Sequence, residues 1–131
     1  MNGILWFLQT LLALIFGYSA TFKSTHAKTE IVARGQTGIA WYSTGLIRFI
    51  AACELFGAIG LILPWLLNTT RVLTPLAAFG LAIIMIGAAL SHARLALSNR
   101  GRRGRELVNV GTNAAIFCAL VFVAIARLRL L

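Results

Sequence analysis

Four apolar stretches, at about 4–22, 39–67, 73–92 and 106–126, constrain this chain more than any other feature. A helix rises about 1.5 Å per residue, so about 20 apolar residues cross a hydrocarbon layer roughly 30 Å thick. Each stretch meets that length. The residues are 60% hydrophobic and only 11% charged, and the mean hydropathy of +0.89 is far too high for a domain that must wet its whole outside. The expected fold is an all-α membrane protein: one domain over 1–131, built as a bundle of four transmembrane helices in contact with lipid. The first stretch has no basic residue before it and no clear small-residue cleavage site, so it reads as a spanning helix and not as a removable leader.

A formal charge of +9 is common in nucleic-acid binders, but here the Lys and Arg residues sit between the apolar runs. Topology explains them better than nucleic acid does. Segments 23–38 and 92–105 and their flanks hold Lys23, Lys28, Arg34, Arg94, Arg100, Arg102, Arg103 and Arg105, whereas the other side holds Arg71, Arg127 and Arg129. The positive-inside rule then places loops 23–38 and 92–105 in the cytoplasm and both termini outside; the expected location is a bacterial plasma membrane. Trp6 and Trp65 fall together at the outer interface, and Trp41 and Tyr42 near the inner one, as aromatic belts require.

Several residues read as structural. Asn68, Thr69 and Thr70 form a tight turn between Pro64 and Pro75, with Thr74 as the cap of the next helix. Gly57, Gly60, Gly80, Gly87 and Ala88 permit close helix approach. Cys53 and Cys118 lack a CxxC partner and read as small buried apolar residues, and no cluster has defensible metal-ligand spacing.

Glu54 is the only acid deep in an apolar run. A carboxylate there costs several kcal/mol unless it is protonated, paired or wet. Lys23, Arg48, His92, Asn109 and Asn113 should reach the same inner level of the bundle, so Glu54 is expected to face an internal cavity. Arg48 lies roughly 240° around the same helix, which favours His92 or the Asn109 and Asn113 face as the partner. Asn109 and Asn113 are otherwise expected to join helices by hydrogen bonds, and His92 is a candidate proton carrier.

The stretch Arg48-Phe49-Ile50, then Glu54-Leu55, then Gly57-Ala58-Ile59-Gly60-Leu61-Ile62-Leu63-Pro64 resembles the second helix of the DoxX-like family of small four-helix membrane proteins. Leu73-Thr74-Pro75-Leu76-Ala77-Ala78 and Met85-Ile86-Gly87-Ala88, with His92 and Arg94 after them, are similar to its third helix. The resemblance covers nearly the whole chain and implies the four-helix fold. It marks Arg48, Glu54, His92 and Arg94 as family-matched polar positions, although the acid often found soon after the histidine is absent here until Glu106. Founding members are associated with a thiosulfate-oxidising, quinone-reducing membrane complex, others with redox or stress-defence assemblies, and distant eukaryotic relatives with receptor assembly.

The leading expectation is an accessory subunit of a membrane oxidoreductase complex, with a polar pocket for a quinone head group or another small amphiphile. Its candidate ligand-binding or proton-linked residues are Glu54, Arg48, His92, Asn109, Asn113, Lys23 and Arg94. The sequence has no haem-ligand pair, flavin fingerprint or thiolate cluster, so electrons would come from a partner membrane protein or a diffusing quinol. A homo-oligomer is the other expected assembly. Two further classes stand beside this one. Four-helix proton-coupled exporters use one membrane-buried glutamate, but in their first helix, and an assembly factor would need only the helix faces.

Overall fold

A computed structural model describes residues 2–131. Among the described residues there are five α-helices: α1 (Asn2–Thr25), α2 (Lys28–Ala33), α3 (Thr44–Leu66), α4 (Leu73–Ser98) and α5 (Arg103–Leu128). Single 3-10 turns occupy Thr37–Ile39 and Arg100–Arg102. Four of the helices, α1, α3, α4 and α5, are long and apolar enough to cross a membrane. The protein is an all-α integral membrane protein, and its outward rim of Ile4, Phe7, Leu14, Phe56, Ile83, Leu90 and Val108 is exposed for lipid contact.

The helix limits depart from the apolar runs for local reasons. Segment 23–38, expected as a loop, contains α2 and most of the turn at Thr37–Ile39. Phe22, Ile31, Ile39 and Ile47 form a small core that draws this segment onto the end of the bundle. Helix α3 begins at Thr44 and not at residue 39, because extended Ser43 caps it by accepting the Leu46 N–H at 3.2 Å. Trp41 and Tyr42 therefore precede the helix. At the far end α3 stops at Leu66, and Asn68 and Thr70 take positive φ values of 54° and 44° to reverse the chain. Asparagine tolerates that left-handed conformation better than most residues.

Thr74 is not the cap of α4. Val72 holds that place without a side-chain bond, while buried Thr74 donates its hydroxyl to the Gly60 carbonyl at 2.9 Å. The segment expected as a basic loop over 92–105 is largely helical. Helix α4 continues to Ser98, with Ala96 buried, and α5 starts at Arg103. Polar residues ended the apolar pattern there without ending the helix.

In the bundle α5 lies along α4, α4 along α3, and α3 along α1, while α1 and α5 meet only briefly. The main core combines Leu12 and Phe16 of α1, Ala58 and Leu61 of α3, Leu81 and Met85 of α4, and Leu120 and Val123 of α5. Two glycines set the α3–α4 spacing. A Cβ on Gly57 would fall 2.6 Å from the Leu81 Cγ, and one on Gly60 would fall 2.7 Å from the Ala77 Cβ. Cys53 is half-buried and Cys118 is exposed, so Cys118 is not the buried residue its apolar run implied.

Candidate functional site

Residues 47, 51, 54, 58 and 61 recur at three- and four-residue steps along α3, and all five are buried. This inward face carries Glu54 at 1% exposure against α1. Ser19 and Lys23 stand one turn apart on α1 and meet it there. The Lys23 ammonium donates to Glu54 Oε1 at 2.7 Å, and the Ser19 hydroxyl donates to Oε2 at 3.1 Å. The partner of Glu54 is thus Lys23, not His92 or the Asn109 and Asn113 face. The correction follows from packing: α3 lies along α1, Asn109 and Asn113 stand across the bundle on α5, and His92 on α4 is held by another acid.

His92 has a different acid. Its Nδ1 lies 2.6 Å from Oε2 of Glu106, which is 1% exposed. Thr37 donates to Glu106 Oε1 at 2.8 Å and Oε2 at 3.0 Å, and Asn109 Nδ2 donates to Oε2 at 3.4 Å. The Lys23–Glu54 ion pair and the hydrogen-bonded His92–Glu106 pair are both almost fully withdrawn from solvent.

Between them lies a half-open cavity of about 330 Å³. Lys23, Glu54, His92, Asn109 and Asn113 all line it, together with Ser19, Tyr42 and an apolar wall that includes Phe16, Ile50, Met85 and Ile116. Gly35, Gln36, Gly38 and Ile39 close one end. Fit is tight at Gly38, where a Cβ would fall 3.0 Å from the His92 Nε2. The cavity can hold a polar head between an ammonium–carboxylate pole and an imidazole–amide pole, with apolar surface for the remainder.

Two candidate residues stand elsewhere. Arg48 donates to the backbone carbonyls of Lys23 and His26, the second at 3.3 Å, and so fastens the end of α1 to α3. Arg94 places its guanidinium over the Trp41 ring, 5.1 Å from the centroid. Neither lines the cavity. Asn113 bonds the Asn109 carbonyl of its own helix at 2.8 Å, and so does not join two helices as expected.

Sequence reading named Glu106 only as the first acid after His92 and left it outside the candidate site, and it missed Thr37, Ser19 and Gly38. Glu106 sits at the edge of a basic segment, and only the helical continuation of α4 and α5 brings it opposite His92. Arg127, read as a flanking residue, is fully buried at the opposite end of the bundle. It donates to Gln9 Oε1 at 2.6 Å and Asn2 Oδ1 at 3.0 Å, and its guanidinium lies 4.1 Å from the Trp65 ring centroid and 5.3 Å from that of Trp6. Gln9 also donates to the Leu61 carbonyl, so this cluster ties α1, α3 and α5 together.

The profile of the DoxX-like family matches residues 7–124. No curated protein matches the chain, and no solved structure does.

Proposed function

The chain belongs to the DoxX-like family, and from that premise we propose that it is an accessory subunit of a membrane oxidoreductase complex whose internal cavity holds a quinone or another small amphiphile. The observation that carries this reading is the cavity itself. Its volume of about 330 Å³ suits a small organic head group, and its lining is mainly apolar with a few convergent polar groups. A head-group oxygen near Lys23 would receive a hydrogen bond, and an oxygen near Asn109 or Asn113 would receive one from the side-chain amide. Aliphatic side chains would accommodate an isoprenoid or acyl tail.

Glu54 has its own cation, so a fixed Lys23–Glu54 dipole serves ligand orientation better than the free carboxylate that a proton-coupled exporter requires. In this proposal Glu54, Lys23, His92, Asn109 and Asn113 contact the ligand, while Arg48 and Arg94 hold helix ends. The protein lies in a bacterial plasma membrane with both termini outside. The concentration of basic residues beside segments 23–38 and 92–105 supports that orientation.

Gentle extraction of the native protein tests the proposal. Copurifying oxidoreductase polypeptides together with a bound quinone or lipid would support it. Recovery of the chain alone, free of any small molecule, would count against it.

A further inference from the structure

The His92–Glu106 pair stands in the wall between two cavities. His92 lines the larger one and Glu106 does not, whereas Glu106 and Thr37 line a smaller one of about 70 Å³. Asn99 and Arg102, both exposed, also border the smaller cavity, which therefore lies beside the basic turn of Arg100–Arg102. One side of the pair faces an amphiphile-sized chamber, and the other faces the water-side end of the bundle.

We propose that His92 and Glu106 form a proton relay between an acidic O–H group on an amphiphile in the larger cavity, of the phenolic hydroquinone type, and water in the smaller one. This rests on the ligand reading above. The hydrogen bonds assign the chemistry. Donors from His92, Thr37 and Asn109 surround Glu106, the arrangement that suits an ionised, acceptor-only carboxylate. With Nδ1–H committed to Glu106, a neutral imidazole keeps its lone pair at Nε2. Nε2 makes no hydrogen bond among the described residues, since the bonds of His92 all involve Nδ1. It lies against Gly38, which lines the larger cavity.

The ligand O–H bond breaks as an N–H bond forms at Nε2, giving an imidazolium beside the Glu106 carboxylate. The Nδ1–H bond then breaks as an O–H bond forms on Glu106, and Glu106 gives that proton to water. One proton leaves the ligand and one reaches water, which leaves the ligand as an oxyanion in the cavity that Lys23 also lines, and the ring in its other tautomer. Exchange with water after the ligand departs restores the first tautomer, and the sequence also runs in reverse. The other charged groups facing the pair are Lys23 and Glu54 across the large cavity, already bonded to each other, and Arg102 at the small one. Tyr42 bonds Ser91 at 2.8 Å and is a polar neighbour outside the relay.

The test uses the full chain in lipid nanodiscs with a decyl-chain benzoquinol as probe. Nitrogen NMR of labelled histidine, in a His26→Gln background that isolates His92, reads the tautomer without ligand or relay mutation. The relay requires the Nδ1–H form, and an Nε2–H form in the unliganded protein would overturn it. Calorimetry in buffers of differing ionisation enthalpy then counts protons exchanged on probe binding. The expected result is about one proton released, with Glu106→Gln binding the probe within about threefold but losing the release. Should Glu106→Gln not fold, the imidazole tautomer and the proton count of the unsubstituted protein decide alone. A bound probe with no proton release in the unsubstituted protein, or with unchanged release in Glu106→Gln, would overturn the relay and leave the cavity reading standing. Failure of the probe to bind would overturn that reading and the relay's ligand with it.

Discussion

Replacing Lys23 by methionine removes the cation from Glu54 and keeps most of the side-chain volume. The two side chains are 8% and 1% exposed and their charged atoms lie 2.7 Å apart, so water cannot readily replace the ammonium. Breaking a buried pair from one side costs about 3–5 kcal/mol, because one charge is left uncompensated. The Ser19 hydroxyl still donates to Glu54 at 3.1 Å, and protonation gives the stranded acid an escape. A loss near 3 kcal/mol, the lower end of that range, is therefore expected for Lys23→Met. Adding Glu54→Gln removes the uncompensated charge and keeps a group that can accept from Ser19. The double variant should recover to within about 1 kcal/mol of the parent, giving a coupling of roughly 2 kcal/mol or more. Reversible denaturation of all four proteins in detergent micelles, followed by far-ultraviolet circular dichroism, provides the cycle. A single Lys23→Met variant within about 0.5 kcal/mol of the parent, or no recovery in the double variant, would refute the argument that a buried ion pair holds α1 to α3.

Gly60→Ala places a methyl 2.7 Å from the Ala77 Cβ, where no flexible side chain can yield. It should cost about 1–3 kcal/mol in the same denaturation assay. Thr37→Val removes the 2.8 Å hydrogen bond to Glu106 and should cost about 1.5–3 kcal/mol while slightly loosening segment 37–39. Limited proteolysis near Gly35, compared with the parent, checks the second effect. For orientation, a cysteine placed between Arg100 and Arg105 in a Cys53→Ala, Cys118→Ala background should stay unlabelled when intact cells meet an impermeant thiol reagent.

Hydropathy made the four long helices legible because each is apolar for a full membrane crossing and every apolar residue contributes to the signal. Helix ends were harder to read. Polar residues from 92 onward were compatible with either a loop or a helix emerging into water, and the burial of Ala96 that selects the helix is a tertiary effect. The same step hid the role of Glu106, which stood in the sequence as a displaced acid after the histidine and gains its value from its position opposite His92. Glu54 was visible as an isolated acid, and Lys23 was visible as a residue of the same level. Which cation reached the acid depended on α3 packing along α1, and no single-chain periodicity encodes that choice. Arg127 shows the reverse case: its position after the last apolar run marked it as an interfacial residue, yet Gln9, Asn2, Trp6 and Trp65 enclose it completely.

If the cavity between the Lys23–Glu54 and His92–Glu106 pairs holds a small amphiphile, its occupancy can be measured. Mass spectrometry of small molecules retained by gently extracted protein can compare the parent with Ala88→Trp, which fills the cavity from its α4 wall. The expected result is a quinone or similar amphiphile near one equivalent per chain in the parent and its loss in the filled variant, with helical content unchanged. An empty parent, or equal retention in both proteins, would contradict it.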